Sequence, residues 1–156
     1  MDLTATAVRS IPNWFVFFVV VVVRHRNVIK QAKEGCAQAQ SDLANRYLKG
    51  DGVTLSNTDA IKWYEKAATQ GHVQAQYALG VCYSRGDGVA KNKNKAVSWY
   101  HKAAQRGNAQ AQYALGTCYD FGAGVAEDKA KAVEWYTKAA EQGDAQAQNH
   151  LGGCYL

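Results

Sequence analysis

The segment Ala37-Gln-Ala-Gln returns as Val73-Gln-Ala-Gln, Ala109-Gln-Ala-Gln and Ala145-Gln-Ala-Gln, each copy 36 residues after the last. Other residues keep the same step: Trp63-Tyr64, Trp99-Tyr100 and Trp135-Tyr136, then Lys66-Ala-Ala, Lys102-Ala-Ala and Lys138-Ala-Ala. A fixed period of this size confines the chain to a stack of similar supersecondary units, because one unit alone cannot bury its apolar face.

Each unit reads as two helices. In the first, helix A over about 37–49, residues Ala39, Leu43, Ala44 and Tyr47 share a face, as do Ala75, Leu79, Gly80 and Tyr83 in the next copy. Gly80 and Gly116 lower helix propensity, which implies a close approach by a neighbouring helix. The turn follows as Gly50-Asp-Gly-Val, Gly86-Asp-Gly-Val and Gly122-Ala-Gly-Val, with glycines suited to positive φ and a valine turned inward. Helix B starts after Ser56, Asn92 or Asp128, three different side chains that are all good N-caps. Its apolar face is Ala60, Ile61, Trp63, Tyr64, Ala67 and Ala68, and Gly71, Gly107 and Gly143 suit its C-terminal end. Asn108 and Asp144 then cap the next helix A, where His72 is a weaker cap and Cys36 a poor one. The predicted fold is all-α, a solenoid of helix-turn-helix repeats with period 36.

The combination resembles the Sel-1-like repeat, a relative of the tetratricopeptide repeat. Its elements stand here as Ala111-Gln112, Leu115-Gly116, Tyr119, Gly122-Ala-Gly-Val125, Lys131-Ala132, Trp135-Tyr136, Lys138-Ala-Ala140 and Gly143. The resemblance covers units 37–72, 73–108 and 109–144 and a partial unit 145–156. The first unit departs from the pattern with Ala44 and Asp59. Residues 27–36 read as the remnant of an earlier helix B. The resemblance implies a right-handed α/α superhelix that serves as an adaptor or scaffold for proteins, with no catalytic residues and no cofactor.

Residues 1–26 form a separate segment. It holds ten consecutive apolar residues, Trp14 to Val23, followed by Arg24-His25-Arg26. As a helix, ten residues span roughly 15 Å, half a bilayer core, while the Val and Phe content favours extended structure. No small-residue cleavage site follows. Three readings stay open: a membrane anchor or signal-like element, a buried strand or helix over the domain end, or a stretch unrelated to the fold, including a mispredicted start. As an anchor it would leave the array in the cytoplasm, since four Lys/Arg follow the run within ten residues. The alternative function is therefore a membrane-tethered regulatory or secretion-related protein. At the other end, Leu151 and Tyr155 would lack their own helix B, which predicts self-association, fraying or a longer array.

The formal net charge of +5 does not mark a nucleic-acid binder. Residues 1–34 carry +3 of it, the unit 73–108 is +5, the unit 109–144 is −3 and the first unit is neutral. The local excess sits near Arg85, Lys91, Lys93 and Lys95, which points to an acidic peptide or protein partner. Helix A also carries a stripe opposite its core face: Gln38, Asp42, Asn45 and Lys49, then Gln74, Ala78, Val81 and Arg85, then Gln110, Ala114, Thr117 and Phe121. Helix A lines the concave surface of tetratricopeptide-like folds. These positions other than Ala78 and Ala114, together with Lys91, Lys93 and Lys95, are the candidate partner-binding residues, with Val81 and Phe121 as exposed apolar anchors.

Enzyme chemistry finds no support. There is no nucleophile–base–acid set, and the Gly-x-Gly turns lack the preceding strand and following Lys-Ser/Thr of a phosphate loop. His150 and Cys154 share a helix face but two ligands do not make a metal site, and His101 reads as a solvated side chain. Cys82, Cys118 and Cys154 fall in phase on neighbouring helices about 8–10 Å apart, too far for disulfides. Such a ladder of small buried thiols suits a reducing compartment, and the expected location is cytoplasmic.

Overall fold

A computed structural model of the chain describes residues 12–154. Residues 1–11 of the N-terminal segment, and Tyr155 and Leu156 of the partial unit, lie outside them. Eight helices follow one another, with no strand among the described residues: α1 (Asn13–Lys33), α2 (Ala37–Lys49), α3 (Asn57–Thr69), α4 (Val73–Arg85), α5 (Lys93–Gln105), α6 (Ala109–Phe121), α7 (Lys129–Glu141) and α8 (Ala145–Cys154). Every substantial helix contact joins consecutive helices. The chain is a helix-turn-helix solenoid.

The caps work as their chemistry requires. Ser56, Asn92 and Asp128 accept from the backbone N–H of Asp59, Lys95 and Lys131 at 3.2, 3.0 and 3.0 Å. Asn108 and Asp144 accept from Ala111 and Ala147 at 2.7 and 2.9 Å. His72 also caps, its Nδ1 taking the N–H of Ala75 at 3.2 Å, whereas Cys36 makes no side-chain cap. Each helix A ends on a left-handed glycine, Gly50, Gly86 or Gly122, and the second turn glycines share that conformation.

Small residues set the spacing. Ala44, Ala60, Ala67, Ala75, Ala103, Ala111 and Ala139 are completely buried, as are Leu79 and Leu115. At Gly80 and Gly116 a methyl group would strike the rings of Tyr100 and Tyr136. These helical glycines are notches into which the tyrosine of the same unit fits. Gly152, one period further on, has nothing within 4 Å, and Leu151 is half-buried against Tyr136 and its neighbours.

A glutamine in each helix A ties adjacent units together. Gln40, Gln76, Gln112 and Gln148 donate from Nε2 to the carbonyls of Ala32, Ala68, Ala104 and Ala140, all at 3.1 Å. The first of these bonds makes the C-terminal half of α1 the geometric counterpart of a helix B. There Ala32 is buried with Ala39 and Leu43.

The N-terminal segment differs from two of its expected forms. Residues 14–23 are helical, and α1 runs through position 26 without a break. The segment is not buried either: Trp14, Phe17 and Phe18 are 69%, 72% and 60% exposed, and only Val22 of the apolar run is half-buried. Once the docked half of α1 is nucleated, extending it adds one hydrogen bond per residue fixed, which outweighs the modest preference of Val and Phe for strands. No described helix is long and apolar enough to cross a membrane.

Candidate functional site

The helix A faces of the second, third and partial units, together with the second turn, enclose a groove of about 500 Å³. Seven of the expected partner-binding residues meet there: Val81, Arg85, Lys91, Lys93, Gln110, Thr117 and Phe121. Tyr77, Tyr100 and Tyr113 form its aromatic floor, and Asp144 and Gln146 its far margin. The floor is rigid because its rings interlock, Tyr77 lying 6.0 Å from Tyr100 between centroids.

Charge separates the two ends of this groove. Among the described residues, Arg85, Lys91 and Lys93 take part in no ion pair. Of the third unit's carboxylates, Asp120 holds Lys129 at 2.9 Å and Asp128 holds Lys131 at 3.3 Å, while Asp144 at the far margin accepts the Ala147 N–H and is in no ion pair among the described residues. Burial pushes the Tyr100 hydroxyl up to about 12 and raises that of Tyr77 as well. Burial also raises the Cys118 thiol, against the opposing pull of Lys93.

The anchors differ in character. Phe121 is 67% exposed at the groove rim, with Lys129 Nζ 5.8 Å from its ring centre. Val81 is a correction: it is half-buried and packs against the cluster of Val97, Tyr100 and Leu115, so only part of it faces the groove. A helical wheel places Val81 opposite its own core, but the next unit's helices rise on that side.

The remaining expected residues lie elsewhere. Gln38, Asp42, Asn45 and Gln74 line a second depression, of about 630 Å³, between the first two units. Much of their hydrogen-bonding capacity is used internally. Gln38 donates to Asp42 at 3.0 Å and meets His72, Asn45 accepts from the Tyr64 hydroxyl at 2.7 Å, and Gln74 accepts from Asn108 at 3.3 Å. Lys49 lies outside both depressions, and Lys95 sits 5.3 Å from the Tyr83 ring centre instead of lining the groove.

No metal cluster forms among the described residues. His150 lies tilted over Tyr136 and edge-on to Tyr113, with centroids 5.1 and 5.5 Å apart, and its Nε2 meets the Tyr113 hydroxyl at 3.1 Å. Cys82 is buried and free, its thiol pushed up to about 11 mainly by burial. The Trp residues of helix B are only half-buried. Lys66, Lys102 and Lys138 lie over Trp63, Trp99 and Trp135 at 4.2, 4.0 and 4.2 Å, closing the stacked seam from outside.

The sequence profile of the Sel1 repeat matches residues 37–72, 73–108 and 109–144. The chain belongs to the Sel1 repeat family. Among solved structures, a Sel1 repeat protein from Oxalobacter formigenes is 42% identical with a TM-score of 0.78, the match covering 83% of this chain and 98% of that one. A protective antigen of uropathogenic Escherichia coli with an SLR fold is 41% identical, with a TM-score of 0.81 over 82% of this chain. This Sel1 repeat chain spans 27% of the antigen's length. Cysteine rich protein B of Helicobacter pylori shares the fold at 23% identity, with a TM-score of 0.63 over 80% of this chain and 92% of that one. No curated protein matches the sequence. Sel1 repeat proteins are in general non-catalytic scaffolds that bind other proteins.

Proposed function

We propose that this Sel1 repeat array is a non-catalytic adaptor that takes an acidic peptide or protein segment into the groove over α4, α6 and α8. The carrying observation is the set of three cations, Arg85, Lys91 and Lys93, that take part in no ion pair among the described residues, beside an exposed Phe121 and a tyrosine floor. Free cations on a concave wall steer and orient carboxylates, and an aromatic ring at the rim supplies the apolar contact that fixes register. Expected ligands therefore carry Asp or Glu beside a large apolar residue.

The test is a titration of fluorescent Asp/Glu-rich peptides containing Leu or Phe against the full chain. Replacing Arg85 and Lys93 together by Gln should weaken binding by about 10–100-fold, in line with loss of charged hydrogen bonds, and flatten its salt dependence. Phe121→Ser should raise Kd by about tenfold. Affinity indifferent to both changes would show that the groove is not the binding surface.

A second reading concerns the apolar half of α1. Ten apolar residues, nearly all exposed, followed by Arg24 and Arg26, suit a helix end that enters one leaflet and stops at anionic headgroups. It would tether the array on the cytoplasmic side. Fractionating cells that express the chain with and without residues 1–26 tests this: membrane recovery should fall sharply on truncation, and equal partitioning defeats the tether.

A further inference from the structure

The glutamine ladder has one broken rung. In the first and third units the buried glutamine is satisfied at both ends, its Oε1 accepting from a second glutamine at the end of helix B. Gln70 Nε2 reaches Gln40 Oε1 and Gln142 Nε2 reaches Gln112 Oε1, both at 2.7 Å. The corresponding donor for Gln76 would come from position 106, which is Arg106. Its guanidinium turns instead to the carbonyl of Gly71 at 2.7 Å. Gln76 is 4% exposed, and its Oε1 is the one buried side-chain polar atom left without a partner among the described residues. The identity of that atom is fixed, because the other end of the amide donates to Ala68 and must be the nitrogen.

The orphan acceptor is itself buried, but the residue that carries it borders a cleft. Gln76 lines a cleft of about 510 Å³ with Trp99, Lys102 and Arg106. Among the described residues, Lys102 and Arg106 are in no ion pair. This cleft shares no lining residue with the basic groove. It thus offers one buried acceptor that wants a neutral N–H, flanked by two cations that want an anion.

We propose that this cleft binds the C-terminal end of a peptide chain. The terminal residue carries both required groups on one Cα. Its amide N–H donates to Gln76 Oε1, and its carboxylate meets Arg106 and Lys102 as a charge-assisted, two-point contact. A simple anion satisfies the cations and leaves the acceptor empty; an internal segment without Asp or Glu does the reverse, and an internal acidic side chain holds its carboxylate at least one carbon further from the N–H than a terminal residue does. The occupant is therefore a chain end, and the site is a second recognition point on the array, independent of the groove.

The experiment is a nuclear magnetic resonance titration of the full chain, read at the side-chain amide of Gln76 and the indole N–H of Trp99. The probes are acetyl-Ala-Gly with a free carboxylate, the same peptide as its C-terminal amide, its analogue with an N-methylated glycine, and inorganic phosphate. The free acid should shift both signals saturably, and the amide and N-methyl forms should bind about tenfold more weakly or worse. Arg106→Gln should raise Tm, since a glutamine there can donate to Gln76 as Gln70 and Gln142 donate to their partners, and should abolish the response to the acid. Lys102→Gln, which leaves the ladder intact, should weaken the acid alone. Equal binding of the acid and its amide, phosphate producing the same shifts, or no shift with any probe would each overturn the assignment.

Discussion

Leu115→Ala is expected to cost about 3–4 kcal/mol of unfolding free energy, in the middle of the range for a buried leucine. Leu115 is completely buried, and its cluster consists largely of Ala96, Ala103, Ala104 and Ala111, with Val97 and Tyr100. Alanines have no rotamers and cannot reach into the vacated space, while Tyr100 is held by the notch at Gly80. The void persists, so the lost dispersion contacts are not recovered. The position also joins units. In a solenoid, stability is a sum of unit and nearest-neighbour terms, so a defect at the middle interface lets the two ends unfold apart. Urea melts should show a lower midpoint and a broadened transition. A loss under about 1 kcal/mol would mean that the repeat interface can collapse around the gap.

Gly124→Ala should be nearly as damaging, at about 2–4 kcal/mol. Gly124 has φ +81°, and a side chain in that region costs about 1–2 kcal/mol. Its missing Cβ would also lie 2.5 Å from the backbone carbonyl of Lys93. That neighbour is the first turn of α5, which cannot give way as a flexible side chain would. Gly107→Ala is the matched control: φ is +87°, yet nothing lies within 4 Å. It should cost only the conformational share, about 1–2 kcal/mol. Thermal melts of the pair separate the two causes, and equal losses would show that the turn is free to shift away from Lys93.

The fold could be read from the sequence because every unit repeats the same local instructions. Ser56, Asn92 and Asp128 share a role without sharing identity, and only the physics of capping unites them. Gly80 and Gly116 announced a close approach before the tyrosine rings that fill it were visible. The helical state of residues 14–23 was not legible, since β-branched composition argues locally and the docked half of α1 decides. Val81 was misplaced because a single-helix wheel does not contain the next unit. The groove's tyrosine floor was missed for the reverse reason: Tyr77 and Tyr113 sit beside core positions and were not counted as surface. The unsatisfied Gln76 left a signal in the sequence, one that emerges when positions 70, 106 and 142 are aligned. Gln, Arg, Gln reads as routine surface variation until the partner of the middle residue is known to be buried.

Helix α1 has a mechanical consequence. It is 21 residues long, about 30 Å, and contains no proline, glycine or serine from Asn13 to Lys33, the residues at which helices usually bend sharply. Its C-terminal half is locked into the first repeat by the Gln40 bond and the burial of Ala32. It is therefore a strut without a joint. Whatever grips the Trp14 end sets both the stand-off distance and the heading of the whole array, and a pull there is delivered directly to the first repeat interface.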